Sequence, residues 1–170
     1  MPPPDYAFLP VTRADFPLLR GWLAEPHVQE WWDAPEREMR MIERDLENGP
    51  VDMRPVDMRI VSHEGRPFAY VQDYPARHWD MPHYADLPEG ARAIDTFLGP
   101  PDMLGRGHAA AYLRQRAGDL LKAGAPAVVI DPDPANERAV RAYRRAGFTG
   151  DTIRPCENGG PVIIMKFRPA

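Results

Sequence analysis

The sequence predicts a mixed α/β fold in a single domain. Three observations carry that reading. The chain has 170 residues, the length of one ordinary domain. Hydrophobic residues make up 44% and charged residues 27%, an ordinary globular balance that buries a core without staples. Its periodic segments run in the order two helices, a group of strands, then strand–helix–strand–helix–strand. No internal repeat and no linker divides it. The domain is expected to span 1–170, with residues 1–5 loose beside the run Pro2-Pro3-Pro4. The 21 prolines and 13 glycines fall between periodic segments, so they mark turns and not disorder.

Each element has a local cause. Thr12-x-x-Asp15 resembles a capping box, and Leu18, Leu19, Trp22 and Leu23 follow at helical spacing. Pro26 ends that helix. Asp33-x-x-Glu36, with Pro35 early in the first turn, opens a second helix carrying Met39, Ile42 and Leu46. Asn48-Gly49-Pro50 stops it. Residues 59–63, Glu64-Gly65 and residues 67–74 read as strand, turn and strand. Residues 75–90 are irregular and rich in Pro, His, Trp and Asp. Residues 91–99 alternate as a strand, with Ala93, Asp95 and Phe97 on one face and Ile94, Thr96 and Leu98 on the other. Gly105-x-Gly107 opens a helix with Leu113, Ala117, Leu120 and Leu121 on its stripe, ended by Gly124. Residues 127–131 are a short apolar strand, 135–146 a helix closed by Gly147, and 162–167 a last strand.

Composition excludes several classes. The formal net charge is −4, against a general nucleic-acid binder, which needs a Lys/Arg surplus. It leaves room for a cationic small molecule. No apolar run approaches the roughly 18 residues of a membrane span, and the N-terminus lacks the basic and apolar regions of a signal peptide. A lone cysteine, Cys156, forms no intrachain disulfide. It reads as a bystander. These features predict a cytoplasmic protein. His27 reads as a structural or surface residue and not a catalytic one, His78 and His83 are scattered without metal-ligand spacing, and no metal is expected.

The chemistry concentrates in residues 94–148. A strand runs into Asp102-Met103-Leu104-Gly105-Arg106-Gly107-His108 and a helix follows. Two glycines one residue apart let a backbone approach a ligand, and helix-start N–H groups favour an anion. Arg106 adds positive charge. A pyrophosphate cradle and a plain turn are both compatible with this fragment alone. It is not a P-loop, because no Gly-Lys-[Ser/Thr] follows, and the dinucleotide fingerprint lacks its third glycine. Further on, Asn136, Val140 and Tyr143 share one helix face. They read either as ligand contacts or as core residues with satisfied polar tips.

The pair Leu104-Gly105-Arg106-Gly107 and Asn136-x-x-Ala139-x-x-x-Tyr143-x-x-x-Gly147-Phe148 resembles the GNAT superfamily of acetyl-CoA-dependent N-acetyltransferases. Asp102 stands where that family often carries Gln or Arg. A narrower resemblance joins Trp22-Leu23, His27-Val28-x-Glu30-Trp31-Trp32, Ala69-Tyr70-Val71-Gln72-x-Tyr74, Arg92-Ala93-Ile94-Asp95 and Asp131-Pro132-x-Pro134-x-Asn136. Together these are similar to the aminoglycoside 6′-N-acetyltransferases.

The resemblance implies a mixed central sheet with two splayed parallel strands flanked by helices. The arm of acetyl-CoA, the implied cosubstrate, would lie in that opening against Phe97 and Leu98 and pair with the first strand. Its pyrophosphate would sit on the amides of Met103, Leu104, Gly105, Arg106, Gly107 and His108, and Asn136 and Ala139 would face the pantetheine. Asp95 would receive or orient the amine proton, at a place where burial favours a raised pKa. Tyr143 would protonate the CoA thiolate, since a phenol near 10 and a thiol near 8.5 are closely matched. For a polycationic substrate, carboxylates are expected at the site: Asp131, with Asp73, Asp80 and Asp86 in or beside the 75–90 segment. Trp32 and Tyr74 join the substrate set, Trp32 being equally well a core plug. Other acceptors in the same superfamily are siderophore precursors, polyamines and protein N-termini, and a non-catalytic CoA-binding module is the rival from another class. No nucleic acid or membrane partner is expected, and monomer and homodimer are both compatible with the sequence.

Overall fold

Thr12 begins the first helical segment as its residues dictate. Its backbone N–H donates to Asp15 Oδ2 at 2.8 Å, half of a capping box. The computed structural model describes residues 5–170. Residues 1–4 lie outside the described residues, and with them most of the terminus expected to be loose.

The elements run β1 (Ala7–Pro10), α1 (Phe16–Leu23), α2 (Pro26–Gln29), α3 (Pro35–Glu47), β2 (Asp57–His63), β3 (Arg66–Pro75) and β4 (Arg92–Leu98). Then come α4 (His108–Lys122), β5 (Val128–Ile130), α5 (Glu137–Ala146), β6 (Phe148–Pro155) and β7 (Pro161–Phe167). The strands form one mixed seven-stranded sheet in the order β1-β2-β3-β4-β5-β7-β6. β4 and β5 are parallel, whereas β5/β7 and β6/β7 are antiparallel.

Two compact units share these elements: residues up to Asp73 with Asp95–Arg106, and Tyr74–Ile94 with Gly107–Ala170. In the first, α1 buries Leu19, Trp22 and Leu23, and α3 buries Met39 and Ile42. Each such side chain contributes roughly 1.5–3 kcal/mol by leaving water. β2 and β3 form a hairpin whose turn, Glu64-Gly65, has positive φ at both residues (51° and 78°), the backbone that matches strand twist. β3 is buried on both faces at Phe68, Ala69, Tyr70 and Val71, as an inner strand requires. Gly99 follows β4, and a Cβ there would lie 2.2 Å from Trp22 Cγ. Only glycine fits against that indole.

In the second unit, α4 turns Ala110, Leu113, Ala117 and Leu120 inward. Leu121, expected on that stripe, is only half-buried. β5 is buried throughout. The β6/β7 register shifts between Thr149 and Thr152. There Gly150 has φ +143°, and a Cβ would strike Ile164 O at 2.2 Å, so the bulge needs glycine.

Three elements differ from the sequence reading. β1 and β6 were not expected. α2 starts at Pro26, which the sequence reads as a stop. Pro26 occupies the first helical position, where its missing N–H costs nothing.

Candidate active site

Asp95 sits in mid-β4, half-buried, in the first unit. Its Oδ2 accepts a hydrogen bond from Gln72 Nε2 at 2.9 Å. Gln72 Oε1 in turn accepts from the Tyr70 hydroxyl at 2.7 Å. Tyr70 is completely buried, and burial, with Asp95 and other carboxylates around it, holds its phenol well above its ordinary pKa. It therefore stays a neutral donor. A phenol donating to Oε1 turns the Gln72 amide so that its N–H faces Asp95. The three groups form an ordered chain ending on the carboxylate. Gln72 and Tyr70 lie two apart on β3, so the strand period sends both to one face.

Aromatic rings back this chain. Phe97, two residues from Asp95, stacks on Tyr70 with centroids 5.3 Å apart. Trp32 meets Phe97 edge-on at 5.0 Å and Tyr70 at 6.4 Å, geometries that aromatic quadrupoles favour. Trp32 is half-buried, so it packs on the cluster and keeps surface of its own. Phe97 is 6% exposed and belongs to the core. His27 donates or accepts through Nε2 at Leu98 O, 2.8 Å away, a structural contact.

The glycine-rich loop follows. Met103 is buried and Leu104 half-buried, while Gly105, Arg106 and Gly107 are exposed. Gly105 and Gly107 have φ of +74° and +82°, and a Cβ on either would meet nothing within 4 Å. Backbone shape, not crowding, requires glycine at both positions, and the side facing out is open. Gly107 precedes the 15-residue α4, which starts at His108. First-turn amides of a helix have no intrahelical acceptor and sit at the positive end of its dipole. These features fit a pyrophosphate. Asp102, in place of the family's Gln or Arg, is bound by Arg66 through both oxygens at 2.8 and 2.9 Å. That pairing holds its carboxyl below the usual range and offsets its charge beside the loop.

In the second unit, the parallel pairing of β4 and β5 covers Arg92↔Val128 and Ala93↔Val129. Asn136 is the N-cap of α5, its Oδ1 accepting from Ala139 N at 3.3 Å. The expected pantetheine contact thus shares this side chain with a capping role. Ala139 and Tyr143 are half-buried, the Tyr143 ring 6.4 Å from Phe148.

The expected substrate carboxylates separate. Asp131 is joined to His83 Nε2 at 2.7 Å. Burial pushes its carboxyl up, while the bond to His83 opposes the shift. Asp73 is 1% exposed, so it presents no surface to a ligand. Asp86 is bound by Arg154 at 2.9 Å. Asp80 is exposed. Tyr74 is also 1% exposed. Its ring lies 4.6 Å from that of the half-buried Trp79, so little of its surface is open to the substrate contact expected of it. Cys156 bonds Asn158 Oδ1 at 2.8 Å within a turn.

Sequence reading missed Gln72 and His83 as the partners of Asp95 and Asp131. Gln72 was visible only as part of a motif, since its partner is 23 residues on. His83 finds Asp131 across 48 residues, with no local signal. Among the described residues, no group of three or more His, Cys, Asp or Glu side chains is placed to hold a metal. No helix there is long and apolar enough to cross a membrane.

A mixed sheet with a parallel β4/β5 pair and a helix opened by Gly107 form the scaffold of an acyltransferase. A family model described as an acetyltransferase (GNAT) domain matches residues 11–153. The chain belongs to the GNAT acetyltransferase family. An aminoglycoside N(6′)-acetyltransferase type 1 of Klebsiella pneumoniae is 27% identical over 94% of this chain and 82% of its own length. The structure of AAC(6′)-Ib with paromomycin and acetyl-CoA superposes with a TM-score of 0.82 at 26% identity, covering 96% of this chain and 93% of that one. The same enzyme with coenzyme A and kanamycin gives 0.81 at 26% identity, covering 95% and 94%.

Proposed function

We propose that this acetyltransferase moves the acetyl group of acetyl-CoA to a primary amine of an aminoglycoside, its 6′-amine, by direct attack within a ternary complex. The observation that carries the reading is Asp95. It is a half-buried carboxylate in mid-β4, oriented at Oδ2 by the Gln72 amide. The names of the relatives support the substrate class.

The acyl donor supplies an activated thioester. The chain supplies the rest. Amides of residues 104–108 bind the pyrophosphate, and β4 backbone beyond Ala93 pairs with the pantetheine arm as an added strand would. A backbone N–H of β4 stabilises the oxyanion. Asp95 accepts the proton that the attacking ammonium must lose. Gln72 orients Asp95 and remains neutral. Tyr143 gives its proton to the departing thiolate, at a small penalty given reference pKa values of about 10 and 8.5. Trp32 offers a ring face to a sugar. Asp131 and the chain's net charge of −4 favour a polycation over a neutral amine.

Release of CoA from acetyl-CoA tests this, with kanamycin, tobramycin and a 6′-hydroxyl analogue as acceptors. Turnover that requires the 6′-amine is expected. Equal turnover on the hydroxyl analogue, or turnover only on polyamines, siderophore precursors or peptides, overturns the substrate assignment.

A further inference from the structure

We propose that His83 is a positioning residue for the acceptor: with Asp131 and Glu157 it makes a proton-linked acidic site for a second ammonium group of the substrate. The site accepts that cation when the His83 ring is neutral and closes to it when the ring is protonated. This rests on the reading above that the acceptor carries several amines.

The geometry is confined to the second unit. His83 lies in a 3₁₀ turn, Pro82–Tyr84, within the irregular segment before β4. Its side chain is 0% exposed and its Nε2 is 2.7 Å from Asp131 Oδ2. An ionised carboxylate only accepts, so the Nε2 proton points at Asp131. The other nitrogen, Nδ1, is buried with no hydrogen-bond partner and lies 3.9 Å from Glu157 Oε2. Nδ1 is therefore the atom at which the proton comes and goes.

The two protonation states differ in what they leave unsatisfied. A neutral ring keeps a buried lone pair at Nδ1 without a donor, and two carboxylates beside it without a cation. A charged ring turns Nδ1–H toward Glu157 and neutralises one of the two carboxylates. The other groups facing the ring do not supply that charge. Tyr84, adjacent in the turn, interacts with Asp131 as a hydrogen-bonding phenol. Arg154 of β6 is bound to Asp86 of the ring's own segment at 2.9 Å. Asp133, beyond β5, accepts from Ala135 N at 2.8 Å. Glu157 is 51% exposed and Asp131 16%, so a ligand ammonium reaches carboxylate oxygens that the buried ring reaches from behind. The exchange balances: one ammonium enters, one proton leaves Nδ1 for solvent, and the site's net charge is unchanged.

The test is the pH dependence of kinetics on the full chain, from about pH 5.5 to about 8.5. In wild type the KM for kanamycin is expected to fall by up to roughly tenfold per pH unit on the acid side, the limit for release of one proton. In His83→Gln, which keeps an N–H donor toward Asp131 but cannot titrate, that slope is lost, and KM changes more than kcat. Glu157→Gln, an exposed change that leaves the core untouched, flattens the slope and raises KM. A slope that survives in His83→Gln overturns the proposal. If wild type does not turn over kanamycin, the substrate reading fails. The linked site is then read by nuclear magnetic resonance titration of the His83 ring. A ring titration displaced in both Asp131→Asn and Glu157→Gln supports it, and one unmoved by either overturns it.

Discussion

Gln72 Nε2 donates to Asp95 Oδ2 at 2.9 Å, and this bond sets the orientation of the Asp95 carboxylate. The donor is itself turned by buried Tyr70. In the proposed mechanism the carboxylate so oriented is where a substrate ammonium hands over its proton. Asp95→Asn is expected to lower kcat by about 10²–10⁴-fold, the usual contribution of a positioned base. Gln72→Leu keeps the base but loosens it, so its loss in kcat is expected to be smaller. Steady-state CoA release on both variants checks the order. A larger loss in Gln72→Leu contradicts it.

In the proposed mechanism Tyr143 carries the second proton transfer. Tyr143→Phe removes the hydroxyl and keeps the ring beside Phe148. Its kcat is expected to fall by about 10²-fold or more, with little change in the KM for acetyl-CoA. An unchanged kcat assigns the thiolate proton to another donor.

The loop prediction concerns Arg66 and Asp102. Their bidentate pair keeps an uncompensated carboxylate away from the expected phosphate. Arg66→Ala is expected to raise the KM for acetyl-CoA, most at low salt, because both side chains are solvent-exposed and screened. Adding Asp102→Asn to Arg66→Ala is expected to restore the affinity. Calorimetric titration with acetyl-CoA at two ionic strengths checks both.

Gly99 tests the packing. Its missing Cβ leaves the space that the Trp22 indole fills at 2.2 Å. Gly99→Ala is expected to destabilise the fold by about 1–3 kcal/mol, the range for overpacking. Urea denaturation against Gly118→Ala, where a Cβ meets nothing within 4 Å, separates this cost from a general effect of alanine.

The elements legible in the sequence are those whose cause is local. α4 and α5 carry apolar spacing and are bounded by Gly107, Gly124 and Gly147. The β2/β3 hairpin shows its turn as Glu64-Gly65. β1 is four residues ending in proline, too short to alternate visibly. β6 is mostly exposed and broken by the Gly150 bulge, so it shows no inward face. At the site, Gly105, Gly107, Asn136 and Tyr143 stand out by spacing, and Asp95 by the family resemblance. What ties Asp95 to Gln72, Asp131 to His83 and Asp102 to Arg66 is pairing across 23, 48 and 36 residues. No local pattern records such contacts.

The most direct measurement identifies the acetylated nitrogen. Kanamycin and acetyl-CoA are incubated with the chain, and the product is analysed by mass spectrometry and nuclear magnetic resonance. The account predicts a single acetyl group, on the 6′-nitrogen, formed in step with free CoA. Acetyl on another nitrogen, or CoA release without an acetylated sugar, would contradict it.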